Sequence, residues 1–193
     1  MICEKLAFSF EINRLKKELQ FIINTHPPVD LAPGFGGWSL TSHDGRYTSG
    51  WGQNHELYKD ECLDNIEQVR KQLSKRNLQS IKELRRPTEV CREIFLDVIV
   101  NLEERGFYPR RARVIRLSPN TESLWHRDAP DWLYYVRMHI PIETNENCYF
   151  ECEEGRQHLP ADGSVYLLNV NRMHKVINSG LTNRYHIVMS SFF

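Results

Sequence analysis

The stretch His174-Lys175-Val176-Ile177-Asn178-Ser179-Gly180-Leu181-Thr182-Asn183-Arg184-Tyr185-His186-Ile187-Val188-Met189 decides how this chain is read. Asn178-Ser179-Gly180 is a turn signal. A β-like segment starting at His174 precedes it, and a second one starting at Arg184 follows. Side chains alternate with a period of two along a strand. Arg184, His186 and Val188 therefore share one face, and Tyr185, Ile187 and Met189 share the other. The run Tyr134 to Ile140 has the same character. Val136, Met138 and Ile140 fall on one side; Tyr135, Arg137 and His139 fall on the other. If the apolar sides pack beneath helices, the polar sides look into the mouth of a barrel.

The pattern changes along the chain. From Arg113 onward, period-two segments with frequent turn residues give roughly eight short strands. Earlier segments read as helices. Ile12 to Thr25 carries Leu15, Leu19, Phe21, Ile22 and Ile23 at helical spacing and stops at Pro27-Pro28. Cys62 to Glu83 is rich in helix formers with a weak apolar stripe. Pro87 to Arg105 reads as the clearest helix. Thr88 is its expected cap, Val90, Ile94, Val98 and Leu102 are its apolar face, and Gly106 is its stop. Gly36 to Thr41 reads as a short strand entered through glycines. Helices followed by an all-β half imply a mainly β sandwich or barrel with helices buttressing one sheet. A length of 193 residues suits one domain. Residues 1–110 would support a β core formed by 111–193.

Composition narrows the functional classes. The formal net charge is +0, so no overall field favours nucleic acid. No apolar run approaches the roughly 18 residues of a membrane span. Met1-Ile2-Cys3-Glu4-Lys5 lacks the basic start and apolar core of a secretory signal. Five scattered cysteines fit reduced thiols and a cytoplasmic setting. Cys148 and Cys152 have no second cysteine pair and read as small strand residues rather than zinc ligands. Oligomeric state has no signal in the sequence.

His126 and Asp128 are two apart, so in an extended segment an imidazole and a carboxylate converge on one point. A His-x-Asp alone is common and usually incidental. Here Ser118-Pro119-Asn120 precedes it, and His174 supplies a second imidazole from a distant strand. Two histidines and one carboxylate occupy one face of an octahedron around Fe(II) and leave the other positions open. Two other classes fit part of the pattern: a metal-dependent non-redox enzyme such as an isomerase or hydrolase, and a cupin-like binding module. Arg184, ten residues after His174, has no role in either.

Together these segments resemble the aspartyl/asparaginyl β-hydroxylase family of Fe(II)- and 2-oxoglutarate-dependent oxygenases. The resemblance rests on Arg113-Val114-Ile115-Arg116-Leu117, His126-Arg127-Asp128, Arg137-Met138-His139-Ile140-Pro141, Thr144-Asn145, His174-Lys175-Val176-Ile177-Asn178 and Arg184-Tyr185-His186. Gly37-Trp38-Ser39-Leu40 is similar to an N-terminal strand of that family. The best-known animal members have Gly where this chain has Asp128, so the chain resembles the bacterial-type branch with the full triad. The resemblance implies a double-stranded β-helix, the cupin-like jelly roll. It implies Fe(II) on His126, Asp128 and His174, with 2-oxoglutarate and O2 as cosubstrates. Arg184 would anchor the distal carboxylate of 2-oxoglutarate, and His139 and Arg137 would lie beside the cosubstrate. The implied reaction hydroxylates an amino acid, free, peptidyl or carrier-bound, and forms succinate and CO2.

Arg137, Trp132 and Trp38 are the expected substrate contacts, with Asp131, Tyr134, Tyr47 and Trp51 as further candidates around the mouth. The run Arg70, Lys71, Lys75, Arg76, Lys82, Arg85 and Arg86 reads first as a solvated basic face.

Overall fold

The computed structural model describes residues 2–51, 84–128 and 136–192. The helix expected at 62–83, the basic positions from 70 to 82, and Asp131, Trp132 and Tyr134 lie outside the described residues. Arg85 and Arg86 are exposed, as a solvated face requires.

Two described helices, α1 (Ile12–Thr25) and α2 (Glu93–Glu104), cover one face of a large sheet. That sheet contains β1 (Cys3–Ser9), β2 (Val29–Ala32), β3 (Phe35–Ser39), β6 (Tyr108–Leu117), β8 (Val136–Glu143), β11 (Ser164–Asn169) and β13 (Arg184–Phe192). Its order is β1-β11-β8-β13-β6-β3-β2. A smaller sheet contains β7 (Thr121–Glu122), β9 (Cys148–Cys152), β10 (Gly155–Gln157) and β12 (His174–Asn178) in the order β10-β9-β12-β7. β4 (Thr41–Ser42) and β5 (Arg86–Pro87) form a separate short pair. Every strand pairing among the described residues is antiparallel. From β8 onward the chain passes repeatedly between the sheets, which is the jelly-roll pattern expected for a double-stranded β-helix.

Alternation places the core. Met138 and Ile140 of β8, Val114 of β6, and Ile187 and Met189 of β13 lie in one cluster with Leu15, Leu19 and Ile22 of α1. Phe95, Val98, Ile99 and Leu102 of α2 complete it. Each fully buried side chain of this size contributes about 1.5–3 kcal/mol. The opposite face of the large sheet meets the small one: Tyr166 and Leu168 of β11 pack with Phe150 and Cys152 of β9. Cys148 and Cys152 are buried strand residues, as expected.

α1 has the bounds that its pattern predicts. Its cap is the Glu11 carboxylate, which accepts from the amides of Asn13 and Arg14 at 2.9 Å each. α2 begins later than expected. Pro87 pairs with Thr41 in the short β4–β5 ladder. The Thr88 hydroxyl caps nothing: it donates to Ser39 O at 2.7 Å and ties this segment to β3. Gly106, at φ +83°, ends α2 as expected. β1 and β2, which the sequence pattern did not reveal, form the two edges of the large sheet.

Trp38 corrects one expectation. It pairs across the ladder with Val114, which itself pairs with Ile187. This parity puts Trp38 on the helix side, 1% exposed, with its indole N–H donating to His26 O at 2.9 Å. It packs in the core rather than at the barrel mouth. Gly37 next to it is obligatory, because a Cβ there would lie 1.9 Å from Val114 O. Trp38→Ala is expected to lower stability in urea unfolding by about 3–5 kcal/mol. A side chain whose role was only to touch substrate would leave stability within about 0.5 kcal/mol.

Candidate active site

The face of the large sheet turned away from the helices carries polar side chains in register. Arg137 and His139 project from β8, Arg184, His186 and Ser190 from β13, and Arg113 from β6. β12 brings His174 to them from the small sheet, buried and stacked on Phe150 with ring centroids 5.2 Å apart. His126 and Asp128 follow β7. An isolated bridge pairs His126 with His174, through reciprocal backbone hydrogen bonds of 3.0 and 2.9 Å. The Asp128 amide donates to Val170 O at 3.0 Å.

This backbone brings the three expected ligands together. One donor atom from each of His126, Asp128 and His174 lies within 4.8 Å of the others. His126 Nε2 is 3.7 Å from Asp128 Oδ1. The two imidazoles are oriented alike. His126 Nδ1 meets Leu124 O at 2.8 Å, and His174 Nδ1 meets Arg172 O at 2.8 Å. A carbonyl only accepts, so each Nδ1 carries the hydrogen and each neutral ring keeps its lone pair on Nε2. Such outer bonds fix the tautomer of a metal-binding histidine. Burial pushes the His174 imidazolium down against the pull of Asp128. Burial alone would raise the Asp128 carboxyl, but Arg137 and then the two imidazoles outweigh it and hold it well below the usual carboxylate range. The site therefore offers two imidazole Nε2 atoms and a carboxylate oxygen, a donor set that suits Fe(II).

The arginines differ in their partners. Arg137 donates from Nε and Nη2 to Asp128 Oδ2, at 2.9 and 2.5 Å, and from Nη1 to Ser190 Oγ at 2.9 Å. The carboxylate that meets Arg137 thus belongs to the chain itself, whereas the sequence led us to expect one from cosubstrate or substrate. Arg113 lies over the ring of half-buried Trp51, 5.1 Å from its centroid. Arg184 is 3% exposed, and its guanidinium has no hydrogen bond or ion pair among the described residues. Burial draws its pKa down to about 10. A buried cation without an anion costs several kcal/mol, so this position suits an anionic ligand. His186 stands two residues along the same face, and its buried Nε2 is also without a hydrogen-bond partner among the described residues. Its Nδ1 lies 3.3 Å from His139 Nδ1.

Sequence reasoning brought His186 to this face but did not count it among the site residues. Continuing the period-two count from Arg184 also reaches Ser190. Two further contributors had no spacing signal. Phe150 supports the His174 ring. Fully buried Asn178 donates to Leu117 O at 2.9 Å and joins β12 to β6.

Residues 64–192 match the family model of aspartyl/asparaginyl β-hydroxylases. The chain belongs to this family. It is accordingly an oxygenase of the Fe(II)/2-oxoglutarate class, and its triad, with Asp128 present, has a donor set that fits the metal. The fold is similar to that of a 2OG-Fe(II) oxygenase family oxidoreductase from Burkholderia pseudomallei, at 12% identity and a TM-score of 0.57, covering 98% of this chain and 84% of that one. It is also similar to AviO1 from Streptomyces viridochromogenes Tue57, at 14% identity and a TM-score of 0.51, covering 100% and 90%. No curated protein sequence matches the chain. Among the described residues, no helix of this family member is long and apolar enough to cross a membrane.

The buried histidine pair generates a pH prediction. Burial first, then the charge of Arg184, hold the His139 and His186 imidazoles well below their ordinary range. In the unfolded chain such rings titrate near pH 6.5. As pH falls below that value, the unfolded chain takes up protons that the fold refuses. Stability of the metal-free protein should therefore be full above about pH 7 and fall at lower pH, by up to ~1.4 kcal/mol per pH unit for each ring. In urea unfolding between pH 8 and 5, His186→Asn should remove about one such increment from the slope.

Proposed function

We propose that the protein hydroxylates a C–H bond of an amino acid, free, peptidyl or carrier-bound, with 2-oxoglutarate and O2 as cosubstrates. His126 Nε2, Asp128 Oδ1 and His174 Nε2 hold Fe(II) in this reading. The observation that carries it is a two-histidine, one-carboxylate cluster beside a sheet face that holds a buried guanidinium, Arg184, with no counter-ion among the described residues. A metal site alone would serve many reactions. A metal site beside a buried guanidinium suits a chelating cosubstrate with a second carboxylate.

Arg184 receives that distal carboxylate through its planar fork. His186 Nε2 supplies a neighbouring polar contact, and His139, held neutral, keeps further positive charge out of the pocket. Fe(II) with 2-oxoglutarate supplies the oxidation: O2 is consumed, the cosubstrate becomes succinate and CO2, and the second oxygen atom enters the substrate as a hydroxyl group. The protein's own part is to fix the donor atoms before the metal arrives. The Nδ1 bonds to Leu124 O and Arg172 O aim both imidazoles, and Phe150 holds the His174 ring.

Anaerobic addition of Fe(II) and 2-oxoglutarate should give a visible charge-transfer band. A screen of amino acids and peptides for stimulated succinate release then identifies the substrate class. His126→Ala, Asp128→Ala and His174→Ala should each weaken iron binding strongly and abolish succinate formation. Wild-type turnover in any of them removes that residue from the ligand set. Arg184→Ala should leave iron affinity nearly intact. Its loss of a buried ion pair, about 3–5 kcal/mol, should raise the KM for 2-oxoglutarate by roughly two to three and a half orders of magnitude, at about 1.4 kcal/mol per tenfold.

A further inference from the structure

We infer that Arg137 is a positioning residue that keeps Asp128 a one-oxygen metal ligand and so preserves an open coordination position. The inference rests on the reading of His126, Asp128 and His174 as metal ligands. Asp128 has two oxygens with different surroundings. Oδ2 takes both Nε and Nη2 of Arg137, at 2.9 and 2.5 Å. Oδ1 is the oxygen near His126 Nε2, at 3.7 Å. The Asp128 and Arg137 side chains are 12% and 6% exposed, so water competes little for either.

Arg137 is itself fixed. It lies on β8 opposite Ser190 of β13 in the ladder. Its Nη1 donates to the Ser190 hydroxyl at 2.9 Å. A charge-assisted fork held from two strands resists rotation of the carboxylate. The consequence follows from counting. An octahedral ion with three protein donors keeps three positions. A cosubstrate held through two oxygens, together with O2, would need all three. A carboxylate that turned both oxygens to the metal would take one of these positions. Rotation of Asp128 toward that mode requires Oδ2 to leave the guanidinium, which would break a buried ion pair.

Co(II) in the metal-free protein tests this without turnover, because the intensity of its visible bands falls as coordination number rises. Arg137→Gln should weaken Co(II) binding about 10–100-fold, the usual effect of removing an outer partner, and should lower band intensity per bound ion. Arg137→Lys keeps the charge but loses the fork. It should recover affinity without recovering the wild-type spectrum. Ser190→Ala removes only the outer anchor and should weaken binding about threefold or more. It decides the matter if Arg137→Gln does not fold. Wild-type affinity and spectrum in Arg137→Gln, or in Ser190→Ala where the former is unfolded, overturn the inference. His174→Ala separates the two readings. If it also binds Co(II) as wild type, the metal site itself is misassigned. If it binds poorly while the Arg137 variants match wild type, only the positioning role falls.

Discussion

Strict period-two alternation in β8 and β13 is the constraint on which the rest of the structure depends. Each strand has to satisfy two environments at once. Met138, Ile140, Ile187 and Met189 seal one side against the helices. Arg137, His139, Arg184, His186 and Ser190 stand on the other. A slip of one residue in either strand would bury arginines under α1 and α2 and turn apolar side chains toward His126, Asp128 and His174. The core and the site therefore specify one register between them, and neither is adjustable alone.

Charge on the inner face is arranged asymmetrically. Arg137 has an acidic partner from the chain, and Arg184 has none among the described residues. The fold tolerates the second cation because backbone pairing on both sides holds β13 in place. The neutral His139–His186 pair belongs to the same arrangement, since protonating either ring would add charge beside Arg184.

Much of this was legible in the residues. The eight strands from β6 onward, the bounds of α1 and the two faces of β8 and β13 follow from periodicity. So does the convergence of His126 with Asp128, although a single bridge rather than a continuous strand achieves it. What escaped depends on register. Which side Trp38 takes is settled only by its pairing with Val114, a residue 76 positions away. The Arg137–Asp128 contact has no characteristic spacing and arises where an irregular segment passes the end of β8. Thr88 has the chemistry of a helix cap, but its hydroxyl has a better buried acceptor in Ser39 O. β1 escaped because Glu4 and Lys5 interrupt its alternation at an exposed sheet edge.

The position of β13 has a further consequence for biosynthesis. It lies between β8 and β6, near the middle of the large sheet, yet it is the last of these strands to be made. While the ribosome is still upstream of residue 184, β8 and β6 each present an open row of amides and carbonyls, the kind of edge that recruits strands from other chains. Arrival of β13 closes both edges at once and delivers Arg184 and His186 to the site. Completion of the sheet and arrival of these two side chains are thus a single event, and nascent chains short of it would be the species most exposed to aggregation and most in need of chaperone capture.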